Sequence, residues 1–158
     1  MDASFTDLVR QSNELLSANI RNLQGPAQSG PALDEAAFER LYGFGFRLLA
    51  AEQFEQALPV FAFLFAQRPS EPRVLSGFGH SLLGLGDVGQ AAMMHSLAYA
   101  AEPDNPAHVL AMAEDLIAME APMSADLLQA AEALAAKPQH AAIAARAKAL
   151  RELLSQGS

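Results

Sequence analysis

Leu41-Tyr42-Gly43-Phe44-Gly45-Phe46-Arg47-Leu48-Leu49 and Leu75-Ser76-Gly77-Phe78-Gly79-His80-Ser81-Leu82-Leu83 follow one pattern, L-x-G-F-G-x-x-L-L, at an offset of 34. The same offset carries Ala57 to Ala91 and Pro69 to Pro103. A third, weaker copy keeps Val109, Met112, Ala113 and Leu116, then Ala125, and brings its proline one residue late, at Pro138. Leu41, Phe44, Leu48 and Leu75, Phe78, Leu82 recur at three- and four-residue steps, so each set occupies one face of a helix.

A unit of this length with bulky and small positions in this order, an alanine and a closing proline is the tetratricopeptide pattern, two antiparallel helices per repeat. Gly45, Gly79 and Ala113 then fall where the two helices of a hairpin meet, with Ala57, Ala91 and Ala125 as counterparts on the second helix. Glycine within a helix costs about 0.5–1 kcal/mol relative to alanine, so Gly43, Gly45, Gly77 and Gly79 require a packing reason, and close helix approach supplies one.

Composition agrees with an all-α chain. Val, Ile and Thr number five, three and one among 158 residues, too few β-branched side chains for a sheet protein. Cysteine is absent, which excludes disulfides, thiolate metal sites and a Cys nucleophile. A net charge of −8 argues against general nucleic-acid binding. Between Arg73 and Lys137 there are eight acids and no Lys or Arg, whereas Lys137, Arg146, Lys148 and Arg151 crowd the end of the chain, so a dipolar surface is expected. The N-terminal residues lack the pattern of a signal peptide and no apolar run reaches the length of a membrane span, so a cytoplasmic protein without direct membrane insertion is expected.

Reading outward from the repeats divides the chain into an amphipathic helix and hinge (1–33), three repeats (34–69, 70–103 and 104–137) and a C-terminal capping helix with tail (138–158). Predicted helices cover about 34–51, 54–66, 72–83, 88–100, 106–119, 123–136 and 139–154. Pro59 lies inside the second of these, where a missing N–H is costly, and predicts a late start or a kink. Gly84-Leu85-Gly86-Asp87-Val88-Gly89 matches G-x-G-x-x-G, but no strand precedes it and the repeat places it in a turn, so it is not read as a nucleotide site. His80, His95, His108 and His140 show no metal-ligand spacing and read as surface or groove residues. No metal, cofactor or catalytic residue is predicted.

Eight of the eleven Phe and Tyr residues fall in the first repeat, more than one hairpin can bury. In a tetratricopeptide solenoid the first helix of each pair lines the concave face. The repeat register places Tyr42, Phe46 and Leu49, then Arg73, Ser76, His80 and Leu83, then Leu110, Glu114 and Ile117 there, an apolar groove with a few polar positions.

The chain resembles the class II chaperones of bacterial type III secretion systems. The similarity rests on Leu41-Tyr42-x-x-Gly45-Phe46-x-Leu48 followed by Gln53-Phe54-Glu55-Gln56-Ala57-Leu58-x-Val60-Phe61, on Gly77-Phe78-Gly79, and on Ala113-Glu114-Asp115-Leu116-Ile117 with Ser124-Ala125. It implies a chaperone rather than an enzyme, with hydrophobic translocator proteins as partners bound through an extended segment in the groove. It also implies a homodimer in which Phe5, Leu8, Leu15 and Leu16 make contacts. A generic tetratricopeptide adaptor or co-chaperone that clamps a carboxylate is the alternative, and would need Lys or Arg facing the groove.

Overall fold

The computed structural model describes residues 32–157, so the predicted N-terminal helix and its contact residues Phe5, Leu8, Leu15 and Leu16 lie outside the described residues. What it describes is helical throughout: α1 (Glu35–Ala50), α2 (Phe54–Gln67), α3 (Pro72–Gly84), α4 (Val88–Ala101), α5 (Pro106–Ala118), α6 (Ser124–Leu134), a 3-10 turn (Pro138–His140) and α7 (Ala141–Gln156). Consecutive helices pack as antiparallel neighbours, and the odd-numbered helices also touch one another in sequence, which builds a stack with those helices on one side.

Local chemistry sets the ends. Asp34 accepts a hydrogen bond from the Ala37 N–H at 2.7 Å and starts α1; Asn105 accepts from the Ala107 N–H at 3.0 Å and starts α5. Both supply an acceptor for an otherwise orphan amide of the first turn. Pro72 and Pro106 occupy the first turns of α3 and α5, where a proline loses no helical bond. Each hairpin turn repeats one geometry. Gln53, Asp87 and Ala121 donate their N–H groups to Leu48, Leu82 and Leu116 at 2.9, 2.9 and 2.8 Å, the six-residue closure of a left-handed helix terminus. The left-handed residues are Glu52 (φ 55), Gly86 (φ 83) and Glu120 (φ 55), again one repeat apart. Gly86, the middle glycine of the G-x-G-x-x-G stretch, is therefore a turn residue, in the conformation glycine adopts without steric cost.

The glycines make room for rings rather than for backbones. A Cβ at Gly45 would stand 3.0 Å from the Phe61 ring and one at Gly77 2.1 Å from it, so Phe61 of α2 is held between α1 and α3. A Cβ at Gly79 would stand 2.4 Å from His95 Nε2, and one at Gly84 2.3 Å from the Phe54 ring. Gly43 departs from the expectation: among the described residues its nearest such neighbour is the end of the Arg47 side chain at 3.6 Å, and no other helix comes within 4 Å.

Helix α2 begins at Phe54 and runs through Pro59, whose ring lies on the exposed face, so the predicted late start does not occur. The third repeat slips by one residue. Ala57 and Ala91 are fully buried, but Ala125 is exposed, and Ser124, Leu128 and Ala131 face inward instead. With the left-handed Glu120 still in register, the residue is lost between it and Ser124, at Pro122-Met123. The last helix buries Ala147 and lays Ile143, Leu150 and Leu154 against Val109, Leu128 and Ala131, as a cap requires. Two of its bases pair with third-repeat acids, Arg146 with Glu114 and Arg151 with Glu132, both at 2.8 Å, so the expected charge separation is partly cancelled locally.

Candidate functional site

Tyr42, Phe46 and Leu49 follow at four- and three-residue steps along α1, and Ser76, His80 and Leu83 do the same along α3. Between these two faces lies a cavity of about 450 Å³, floored by Phe54 and Phe61 from α2 and by Gly77 and Gly84. The aromatic walls are mutually braced: Tyr42 stacks on Phe46 at 6.4 Å and meets Phe61 edge-on at 6.1 Å. Burial pushes the Tyr42 hydroxyl above its ordinary pKa. Phe46 is 58% exposed, a large apolar ring left open at the cavity mouth.

Arg73 forms one rim. Its guanidinium binds both carboxylate oxygens of Glu39, at 2.7 and 3.2 Å, and Glu71 at 3.0 Å, and stands 4.7 Å from the Tyr42 ring centre. The hydrogen bond from Arg73 holds Glu39 below the usual carboxylate range. Arg68 likewise binds Glu35 at 2.7 Å and covers the Phe38 ring at 3.7 Å. Both cations already have acids against them, and of the two only Arg73 lines the cavity.

Seven of the residues placed in the groove from sequence line this one cavity: Tyr42, Phe46, Leu49, Arg73, Ser76, His80 and Leu83. Leu110, Glu114 and Ile117 do not. Leu110 is 9% exposed and belongs to the core beneath the capping helix, Ile117 packs against the same core, and Glu114 is tied to Arg146. The sequence placed them by register alone, and register carries no information about α7. Ala50, Phe54, Phe61, Gly77 and Gly84 were missed as lining residues; for the two rings the signal was the need of Gly77 and Gly84 for a facing ring.

The histidines also depart from expectation. His95 is fully buried, His108 nearly so, and Asp115 is 1% exposed. His95 occupies in the second repeat the position of Phe61 in the first, and its Nδ1 lies 2.6 Å from Asp115 Oδ2. Its Nε2 lies 3.3 Å from His80 Nδ1, which is also 2.8 Å from the Ser76 carbonyl. Asp115 Oδ1 has no hydrogen-bond partner among the described residues. Burial first, and His95 second, depress the pKa of His80, which favours the neutral ring. Among the described residues no three His, Cys, Asp or Glu side chains stand together as a metal site, and no helix is long and apolar enough to cross a membrane.

No family model matches the chain. No curated protein matches it in sequence. Solved structures do. PcrH from Pseudomonas aeruginosa is 28% identical, with a TM-score of 0.73 over 82% of this chain and 98% of that one. PcrH in complex with the chaperone-binding region of PopB is 29% identical, with a TM-score of 0.69 over 76% and 98%. The type III secretion translocator chaperone SycD of Yersinia enterocolitica, 23% identical with a TM-score of 0.69 over 76% and 91%, shares the fold. Over the described helices the chain is thus similar to PcrH in sequence and fold and to the translocator chaperone SycD in fold.

Proposed function

We propose that the protein is a cytoplasmic, non-enzymatic chaperone of a type III secretion system, which holds hydrophobic translocator proteins through an extended segment seated between α1 and α3. The observation that carries this reading is the cavity of about 450 Å³ with Tyr42, Phe46 and Leu49 on one wall and Leu83 on the other, in a fold shared with a chaperone solved with a bound chaperone-binding region. Apolar segments destined for a membrane aggregate in water, and an apolar cleft with few charged anchors masks them while leaving release possible. A homodimer formed through Phe5, Leu8, Leu15 and Leu16 belongs to the same proposal. The carboxylate-clamp alternative is disfavoured by Arg73, which Glu39 and Glu71 already neutralise.

Co-expression with the translocators of the same secretion system tests the reading. The wild type keeps them soluble and copurifies with them; Phe46→Ala loses the partner while its circular dichroism is unchanged. Translocators that stay insoluble beside the wild type overturn it.

A further inference from the structure

The cavity walls are aromatic and aliphatic apart from the Arg73 rim and the Ser76-His80 edge of α3. What that edge presents to a bound segment is set from beneath. An ionised carboxylate only accepts, so at 2.6 Å from Asp115 Oδ2 the His95 Nδ1 carries the proton. His95 Nε2, the other nitrogen of that ring, faces His80 Nδ1. A backbone carbonyl also only accepts, so at 2.8 Å from Ser76 O the His80 Nδ1 carries a proton too, shared with His95 Nε2 at 3.3 Å. Donation to these two requires one tautomer of His80 and a lone pair on His95 Nε2, and the Ser76 hydroxyl, 3.5 Å from the same Nδ1, can accept from it as well. The other nitrogen of His80, Nε2, has no hydrogen bond among the described residues and is left as a lone pair on a ring that lines the cavity.

We infer that His80 Nε2 is the hydrogen-bond acceptor of the groove, held in that form by the buried Asp115-His95 pair, and that it takes a donor from the bound segment, a backbone N–H or a Ser or Thr hydroxyl. An extended segment carries its amides outward at alternate positions, so one acceptor fixed among apolar walls selects register where apolar contact alone permits sliding. Asp115 and His95 touch no ligand; they are positioning residues. The inference rests on the chaperone reading, and its test separates the two.

Nitrogen-15 chemical shifts of the histidine rings in the free protein come first. The expected spectrum shows His80 protonated at Nδ1 and bare at Nε2, and loss of that single tautomer in Asp115→Asn, whose amide can donate where the carboxylate accepts. His80 carrying its proton on Nε2 in the wild type overturns the inference whatever the protein binds.

Binding of the PopB chaperone-binding peptide follows. His80→Phe is expected to weaken it about three- to tenfold, the range of one net neutral hydrogen bond, while His80→Gln, which keeps an acceptor, stays within about twofold. A peptide N-methylated at the contacting amide loses as much against the wild type and nothing further against His80→Phe; if the donor is a hydroxyl, a Ser or Thr→Ala peptide behaves this way instead. Equal affinity of wild type and His80→Phe overturns the inference and leaves the chaperone reading standing. Failure of the wild type to capture PopB peptide or its own translocators overturns the chaperone reading, and the ring shifts still decide the tautomer.

Discussion

Phe61 and His95 stand one repeat apart at the same place in successive hairpins, each pressed against glycine, and the two hairpins fill that place by opposite chemistry. In the first, a phenyl ring occupies the space left by Gly45 and Gly77 and needs nothing but contact. In the second, an imidazole occupies the space beside Gly79 and brings a polar chain with it, from Asp115 through His95 to His80. A dry ring gives stability without direction. A buried polar pair is a weaker source of stability, but it fixes which atoms are donors and which are acceptors.

Four changes would break or sharpen that contrast. Phe61→Ala has the largest expected effect, a loss of about 3–5 kcal/mol in urea unfolding, because a fully buried ring that three helices share leaves a hole none of them can close. A loss under about 1 kcal/mol would show that the first hairpin collapses around the gap. Next, His95→Phe alone should cost about 1–3 kcal/mol, since it leaves the Asp115 carboxylate buried without its partner. His95→Phe combined with Asp115→Leu should recover most of that loss, converting the second hairpin to the solution used by the first; additive losses in the double-mutant cycle would deny the coupling.

The third concerns pH. The folded-state pKa of His80 is depressed below the ordinary 6.5, so the native state favours the neutral ring; its contribution is complete above that pH and is lost as pH falls through the lower folded value. Unfolding midpoints should therefore drop on acidification from pH 7 more in the wild type than in His80→Gln, with His95, Glu114 and Asp115 as the titratable neighbours in both. Parallel curves would contradict this. Smallest is Glu39→Gln at the rim of the first hairpin, where the side chains of Arg73 and Glu39 are 43% and 46% exposed, and the melting temperature should not change measurably.

Much of the architecture was legible because glycine, alanine and proline recur at one spacing, and each occurs for a steric reason that does not depend on distant parts of the chain. The cavity wall on α1 was legible on the same ground, since Tyr42, Phe46 and Leu49 share a helix face by spacing alone. What could not be read was whatever depends on a neighbour. Ala125 kept the repeat spacing yet lies outside, because one residue is missing after Glu120. Leu110 and Ile117 kept groove positions yet pack into the core capped by α7. His95 read as a surface or groove histidine because its partner, Asp115, belongs to the next repeat.

The placement of Phe61 has one more consequence. A ring that touches both Gly45 of its own hairpin and Gly77 of the next turns the first two repeats into one cooperative unit, so neither can fray alone. Native-state hydrogen exchange would then report a single shared opening for α1, α2 and α3. A cleft whose walls melt only together is a rigid cradle, and a segment lying in it leaves by being drawn out along its length.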